Sequence, residues 1–259
     1  MLNKKVLPAA VTAVLLAGTS LAQAQEKEPA IVTGDSLVSG FEISGNVAIT
    51  TDYRFRGISQ SDESAAVQGG FDAEFGPGFY IGTWASSVDF GSDNETGSFG
   101  TMEIDYYAGW ASSIGDTDFG IDVGVIYYDY PGDTVDPEGD YVEFYVGGSW
   151  KDLSLQVNYS DDYYAETDEF WYISGDYSLG LFDTDLTLDL HVGYNMLEEG
   201  EGFLSSDEDA YTDYSVALTY NWASVDFSLA WVGTDLDEED FFDIDYVEDV
   251  AVFTVSKSF

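Results

Sequence analysis

From Phe41 to Phe259, apolar and polar residues alternate in blocks of roughly 9–13 residues, the length of a tilted strand that crosses a bilayer. Twelve blocks are read, at 41–53, 65–75, 79–90, 101–113, 119–130, 141–150, 153–163, 169–179, 185–196, 210–221, 223–232 and 247–259. In the fifth, Phe119, Ile121, Val123, Val125 and Tyr127 face one way, and Asp122 and Gly124 the other. In the ninth, Leu186, Leu188, Leu190, Val192 and Tyr194 oppose Thr187, Asp189, His191, Gly193 and Asn195. A single block of this kind suits the half-buried face of a soluble sheet. Twelve of nearly spanning length, with no long helix to cover them, place lipid on the apolar side. The pattern therefore predicts an all-β fold, a transmembrane antiparallel up-and-down β-barrel of about twelve strands, in preference to a soluble sandwich or lipocalin-like barrel.

The connections alternate in length. Short turns follow the even-numbered blocks: Gly76-Pro77-Gly78, Gly115 to Asp118, Lys151-Asp152, Gly180 to Thr184 and Trp222-Ala223. Longer acidic loops follow the odd-numbered ones, at 54–64, 91–100, 131–140, 164–168, 197–209 and 233–246. That asymmetry is expected of an outer-membrane barrel with its short turns in the periplasm. The last block agrees: Ala251, Phe253, Val255 and the terminal Phe259 share its apolar face, and Thr254, Ser256 and Ser258 the other. In a soluble sheet this strand would be an aggregation-prone edge, whereas in a closed barrel it pairs with the first.

The N-terminus has the composition of a secretory leader. Lys4 and Lys5 precede the apolar run Val6 to Ala17, and Ala22-Gln23-Ala24 supplies a cleavage site. The apolar run is too short to span a membrane as a helix. Residues 1–24 are thus expected to be a signal peptide, 25–40 a periplasmic lead-in, and 41–259 the outer-membrane barrel.

Composition sharpens this. Aromatics make up 16% of the chain and prolines number 5, which favours strands and suits the aromatic girdles of membrane barrels. The net charge of −43 repels nucleic acid, and 45% hydrophobic residues in a regular period exclude intrinsic disorder. With 0 cysteines there is neither a disulfide framework nor a thiolate metal site.

Candidate chemistry lies on the inward positions. By parity these include Glu42, Asp52, Asp72, Glu74, Glu103, Asp105, Asp122, Glu143, Asp189, Asp213 and Asp226. A wall of one sign attracts cations and rejects anions. Arg54 and Arg56 are two of the few bases, and strand alternation would aim both at that wall. Two uses stay open for them: ion pairs that narrow the mouth, or guanidinium forks offered to an anionic solute. His191 is the only histidine, with Asp189 on its face; a proton relay or metal site is outweighed by a plain lumen residue. No Ser-His constellation of a lipid hydrolase is present. Acidic runs such as Asp235 to Asp240 read as solvated loop faces, with Mg2+ or Ca2+ bridging to lipid head groups as the alternative.

The stretch from Thr51 to Ser61 (TDYRFRGISQS), with Val67 to Asp72 and Gly78 to Ser86, resembles the opening of the TorF-type porins of Gram-negative bacteria. The resemblance implies an outer-membrane barrel that forms a pore; it transfers no substrate and no catalytic residue. The expected function is passive diffusion of small hydrophilic solutes, with cations preferred. The alternative is a non-conducting structural or surface-display barrel, whose lumen Tyr107, Tyr128 and Tyr145 would help to fill. Neither an enzymatic activity nor a cofactor is expected. The expected partners are outer-membrane lipid and lipopolysaccharide, the barrel assembly machinery through the strand ending in Phe259, and small solutes or cations. The barrel is expected as a monomer or a weak homo-oligomer.

Overall fold

The computed structural model describes residues 41–259, apart from residues 91, 94–96, 116, 183, 199 and 201. The expected leader and lead-in, residues 1–40, lie outside the described residues. Twelve antiparallel strands, each hydrogen-bonded to the next in sequence, close into one barrel. They are β1 (Phe41–Thr50), β2 (Ala66–Phe75), β3 (Phe79–Ser87), β4 (Met102–Ser113), β5 (Phe119–Asp129) and β6 (Tyr141–Trp150), followed by β7 (Leu153–Ser160), β8 (Phe170–Leu181), β9 (Leu186–Met196), β10 (Ala210–Trp222), β11 (Val225–Thr234) and β12 (Val250–Ser258). Among the described residues the only helical elements are two 3-10 turns, Glu238–Asp240 and Asp245–Val247.

Each strand lies where the alternation predicts, and the differences fall at strand ends. The first strand stops at Thr50 rather than residue 53, because the chain leaves the wall there and turns into the barrel. The seventh stops at Ser160, and the last begins at Val250, after a 3-10 turn has taken up Val247. The turn between β10 and β11 is Ala223-Ser224, both with positive φ (54° and 59°), as a two-residue hairpin loop requires.

The outer surface is apolar between two aromatic rims. Near the short turns stand Phe75, Phe79, Phe119, Trp150 and Trp222, with Phe75 stacked on Phe79 at 6.2 Å and Phe119 on Trp150 at 6.1 Å. Near the long loops stand Tyr106, Tyr127, Trp171, Tyr194 and Trp231. Between them run exposed aliphatics such as Ile43, Ile81, Val146, Leu155, Ile173, Val192 and Leu229. Exposed apolar surface of this extent is stable only against lipid or a partner.

Bulky residues pack inside along one arc, β3 to β6, by a matched device. Tyr107 faces Gly82, Tyr80 faces Gly109, and Tyr145 faces Gly124, each pair directly opposite across a ladder. Each ring lies where the glycine's Cβ would have been. The hydroxyls are satisfied as well: Tyr107 donates to Asp72 (2.6 Å), Tyr80 to Asp122 (2.7 Å), and Tyr80 and Tyr145 share a hydrogen bond.

Closure rests on β1 and β12, the shortest ladder of the barrel, which runs from Asn46↔Ser258 to Thr50↔Thr254. Phe259 extends it. Its N–H donates to Gly45 O and its carbonyl accepts from Gly45 N–H, both at 2.9 Å, while its ring covers Gly45.

Two outcomes are expected. Deleting Phe259 removes two backbone hydrogen bonds and a covering ring, so the folded barrel should lose roughly 2–3 kcal/mol and convert to the unfolded gel band at a lower temperature. An unchanged conversion temperature would show that the seam does not need this residue. Gly124→Ala should destabilise by about 1–3 kcal/mol through collision with the Tyr145 ring. Gly180→Ala, with nothing near its Cβ, should be neutral in the same denaturant titration.

Candidate functional site in the barrel interior

The loop between β1 and β2 does not cover the mouth from outside but folds into the barrel. Arg54–Phe55 pairs with Ile58–Ser59 as a small hairpin whose tip is Arg56-Gly57. Both tip residues have positive φ (48° and 83°), the signature of a type I′ turn, and Gly57 is the residue that makes it inexpensive. A side chain at Gly57 would also collide with Thr234 on β11 and Asp213 on β10. The base of the hairpin is held by Asp52, which accepts from Arg54 Nε (2.5 Å), Ser59 Oγ (2.7 Å) and Ser61 Oγ (3.1 Å). Arg54 continues outward, donating to Glu63 (3.0 Å) and to the carbonyls of Tyr246 (2.6 Å) and Glu248 (3.1 Å), which lashes the last long loop to the hairpin.

Arg56 crosses the lumen. Its guanidinium makes two parallel bonds of 2.8 Å to the carboxylate of Glu143 on β6 and a longer one, 3.3 Å, to the Tyr163 hydroxyl. The rings of Phe55, Phe170 and Tyr172 lie 4.3–4.7 Å from its carbon. Glu143 is fully buried and takes a further bond from Asn158 Nδ2 (2.8 Å), itself reached through Gln156. A bidentate pair with its remaining valences filled, inside an aromatic sleeve, is the geometry in which a buried ion pair holds. The sleeve is continuous: Tyr128 stacks on Tyr141 at 4.3 Å, and Tyr163 on Phe170 at 3.9 Å.

Below the hairpin, toward the short turns, the interior is acidic and wetter. Glu42 and Glu74 face each other across the β1–β2 ladder, and Asp72, Asp122, Asp189 and Asp226 stand on the same inner wall. Asp189 accepts from Ser178 (2.6 Å) and Thr219 (3.3 Å), and Asp226 from Asn221 (2.8 Å). Among the described residues, no lysine or arginine of a barrel strand points inward.

The structure places the sequence-predicted residues as follows. Glu42, Asp72, Glu74, Glu103, Asp105, Asp122, Glu143, Asp189, His191, Asp213 and Asp226 stand on the inner wall. Asp52, Arg54 and Arg56 do not stand on the wall, as strand alternation had it, but on the inserted hairpin. Both arginines are buried and fully engaged by protein carboxylates, so of their two expected uses the structure has the ion pairs. His191 is bonded not to Asp189 but to Asp176 (Nδ1, 2.7 Å) and Asp213 (Nε2, 2.8 Å), with the Tyr172 hydroxyl 3.0 Å from Nε2. Asp189 lies within one residue pair of His191 in sequence, yet its carboxylate is drawn away to Ser178 and Thr219. Asp176, inward by the same parity as Tyr172 and Ser174, went unnoticed in the sequence although its position was readable. The hairpin's contacts with Glu143, Tyr163 and Phe170 lie about a hundred residues away and had no local signal. No three His, Cys, Asp or Glu side chains converge as a metal-ligand set among the described residues.

Comparison with known proteins gives the following. A family model described as "Bacterial protein of unknown function (Gcw_chp)" matches residues 35–259, and the chain belongs to that family. No curated protein matches. Among solved structures, the KdgM porin superimposes with a TM-score of 0.51 at 11% identity, over 83% of this chain and 98% of that one. The NanC porin gives 0.47 at 11% identity over 83% and 97%, and the outer membrane channel DcaP of Acinetobacter baumannii 0.43 at 10% over 85% and 98%. At such identities the KdgM likeness establishes the fold, a porin-type closed barrel.

Proposed function

We propose that this member of the Gcw_chp family is an outer-membrane channel for passive diffusion of small hydrophilic solutes, with cations preferred. One observation carries the reading: a closed barrel, apolar and aromatic-rimmed outside, whose inner wall bears carboxylates and no strand-borne lysine or arginine. A wall of one sign biases permeating ions by its field. The resemblance to the TorF-type porins agrees with it. Under this reading residues 1–24 are removed on export, the short turns face the periplasm, and the long acidic loops face outward. The assembly machinery engages the strand ending in Phe259, lipid and lipopolysaccharide surround the apolar belt, and the barrel is a monomer or a weak homo-oligomer. No enzymatic step is part of the proposal.

The hairpin sets the width of the path, since it spans the lumen from β1 to Glu143 on one side and to Asp213 and Thr234 on another. The same observation favours a second reading, a barrel closed by its own loop that serves a structural or display role.

Single-channel recording in a planar bilayer under a salt gradient separates the two. The channel reading expects small steps from the wild type and severalfold larger ones from Glu143→Gln, which leaves Arg56 without its carboxylate and should cost about 3–5 kcal/mol of hairpin attachment. Retained heat-modifiability on gels would show that the variant is folded. A folded barrel that conducts in neither form would leave the structural reading. Neutralising Glu42 and Glu74 together should move the reversal potential toward zero cation preference. An unmoved potential would count against an acidic wall.

A further inference from the structure

One lysine stands on the lipid-facing wall of the barrel. Lys257 is exposed on the outer face of β12, between Val255 and Phe259 and opposite Val47 on β1. These neighbours are apolar, and among the described residues no carboxylate pairs with its ammonium. Its height is fixed by the ladder. Asp226 pairs with Ser256, so Lys257 is level with Val225, the first residue of β11, which itself pairs with Trp222 at the hairpin turn. This is the rim near the short turns. There an ammonium on a long stem reaches the lipid head groups while its methylenes stay in the apolar belt. Outside the lumen the other described lysine or arginine is Lys151, in the turn between β6 and β7, where it lies over the Trp150 ring at 5.0 Å.

A second feature lies against the same seam. On the outer face of β1 to β4, Ile43, Phe71, Ala73, Ile81, Thr83 and Tyr106 line a groove of about 480 Å3. It exists because the ladder sets small side chains between large ones: Ala73 between Ile43 and Ile81, and Thr83 between Phe71 and Tyr106. Groove and lysine are continuous. The rings of Phe71 and Phe259 both close over Gly45, 3.1 and 3.0 Å from where its Cβ would stand, and Phe259 follows Lys257 on the same face. An ammonium, a crossing of the seam paved with rings, and an apolar groove thus succeed one another. The occupant with that order of parts is an anionic lipid, which brings a phosphate for Lys257 and a hydrocarbon chain for the groove. A second copy of this chain, meeting it through the same face, would set lysine against lysine and leave both without an anion.

We propose that one anionic phospholipid of the leaflet at the short turns binds across the joint of β1 and β12, with its phosphate on Lys257 and one acyl chain in the groove on β1 to β4. The lipid then straps the joint that has the shortest ladder and no covalent turn. The site rests on the outer-membrane placement of the barrel, short turns toward the periplasm, and is independent of conduction.

The test uses the refolded full barrel in an uncharged detergent, titrated with phosphatidylglycerol or with phosphatidylcholine of the same acyl chains. Native mass spectrometry counts the lipid retained. One phosphatidylglycerol per chain is expected, half-saturating at a concentration roughly fivefold below that of phosphatidylcholine, the effect of one lysine beside an anionic head group. Lys257→Gln should abolish that preference, whereas Lys151→Gln, the same loss of charge elsewhere on the rim, should leave it intact. Ala73→Phe, which fills the groove, should weaken retention of both lipids. A wild type that does not prefer phosphatidylglycerol, equal losses in the two lysine variants, or a dimer of chains in place of the lipid adduct overturns the inference. Should Ala73→Phe lose heat-modifiability and so prove unfolded, the contrast between the two exposed lysines decides alone. A lipid-binding barrel that never conducts would sink the channel reading and leave this site standing; a conducting barrel with no lipid preference would do the reverse.

Discussion

The structure depends on leaving no strand edge unpaired. A backbone group without a partner costs several kcal/mol in hydrocarbon, so a sheet that stands in lipid must close on itself. Here the burden falls on the joint between the first and last strands, because every other joint is a hairpin whose turn holds the two strands together. The joint between β1 and β12 has no covalent turn and has the shortest ladder. That is why the chain's final residue is used as it is. The two reciprocal bonds of Phe259 to Gly45 extend the ladder by one more pair, and its ring covers a position where a side chain would interfere.

Closure creates a second demand, since the inside of a ring must be filled or hydrated. This barrel does both, in separate layers. Toward the short turns Asp72, Asp122, Asp189 and Asp226 accept from hydroxyl or amide donors. Toward the long loops the space is taken by aromatic rings and by the hairpin, and each acid must be answered individually. The Tyr–Gly pairs show how closely the wall is matched to its contents: the missing Cβ on one strand makes room for a ring from the next. The same wall would not accept an arbitrary loop. The hairpin fits because Gly57 has no side chain to strike Thr234, and because Arg56 meets a carboxylate already fixed by Asn158.

How much of this could be read from the chain differs sharply between wall and lumen. The twelve strands were legible because a period of two is local, and the apolar outer face repeats it at nearly every position. Inward placement of Asp72, Asp122 or Asp189 followed by parity alone. The first strand was read three residues too long because Thr51-Asp52-Tyr53 continues the alternation even after the backbone has turned inward; the pattern carries no mark of that departure. One cue did exist. Arg56-Gly57 between Phe55 and Ile58 is a tight-turn sequence, and it argues against a continuing strand. What the hairpin then touches was not legible, since Glu143 is 87 residues away and nothing local distinguishes it from the other acids. The partner of His191 was missed for a related reason. Asp189 shares its strand face, but side chains two apart on a strand lie farther from each other than those on neighbouring strands, and Asp176 stands directly opposite across the ladder.

An apolar residue at position 56 would fill the lumen as well as arginine does, yet the interior would be less stable for it. Glu143 has no access to water, so its charge requires a counter-charge at that point, and no strand supplies one. Among the described residues, Arg54 and Arg56 are the two lysine or arginine side chains placed inside, and each engages a carboxylate that anchors the hairpin. Fixed charge therefore determines where the loop can sit. Packing alone would allow the hairpin to slide along the aromatic sleeve; the forked bond to Glu143 and the Asp52 cluster allow one depth and one orientation. The same reasoning applies to His191, which meets a carboxylate on either side, Asp176 and Asp213, and ties β8, β9 and β10 together on the inner wall.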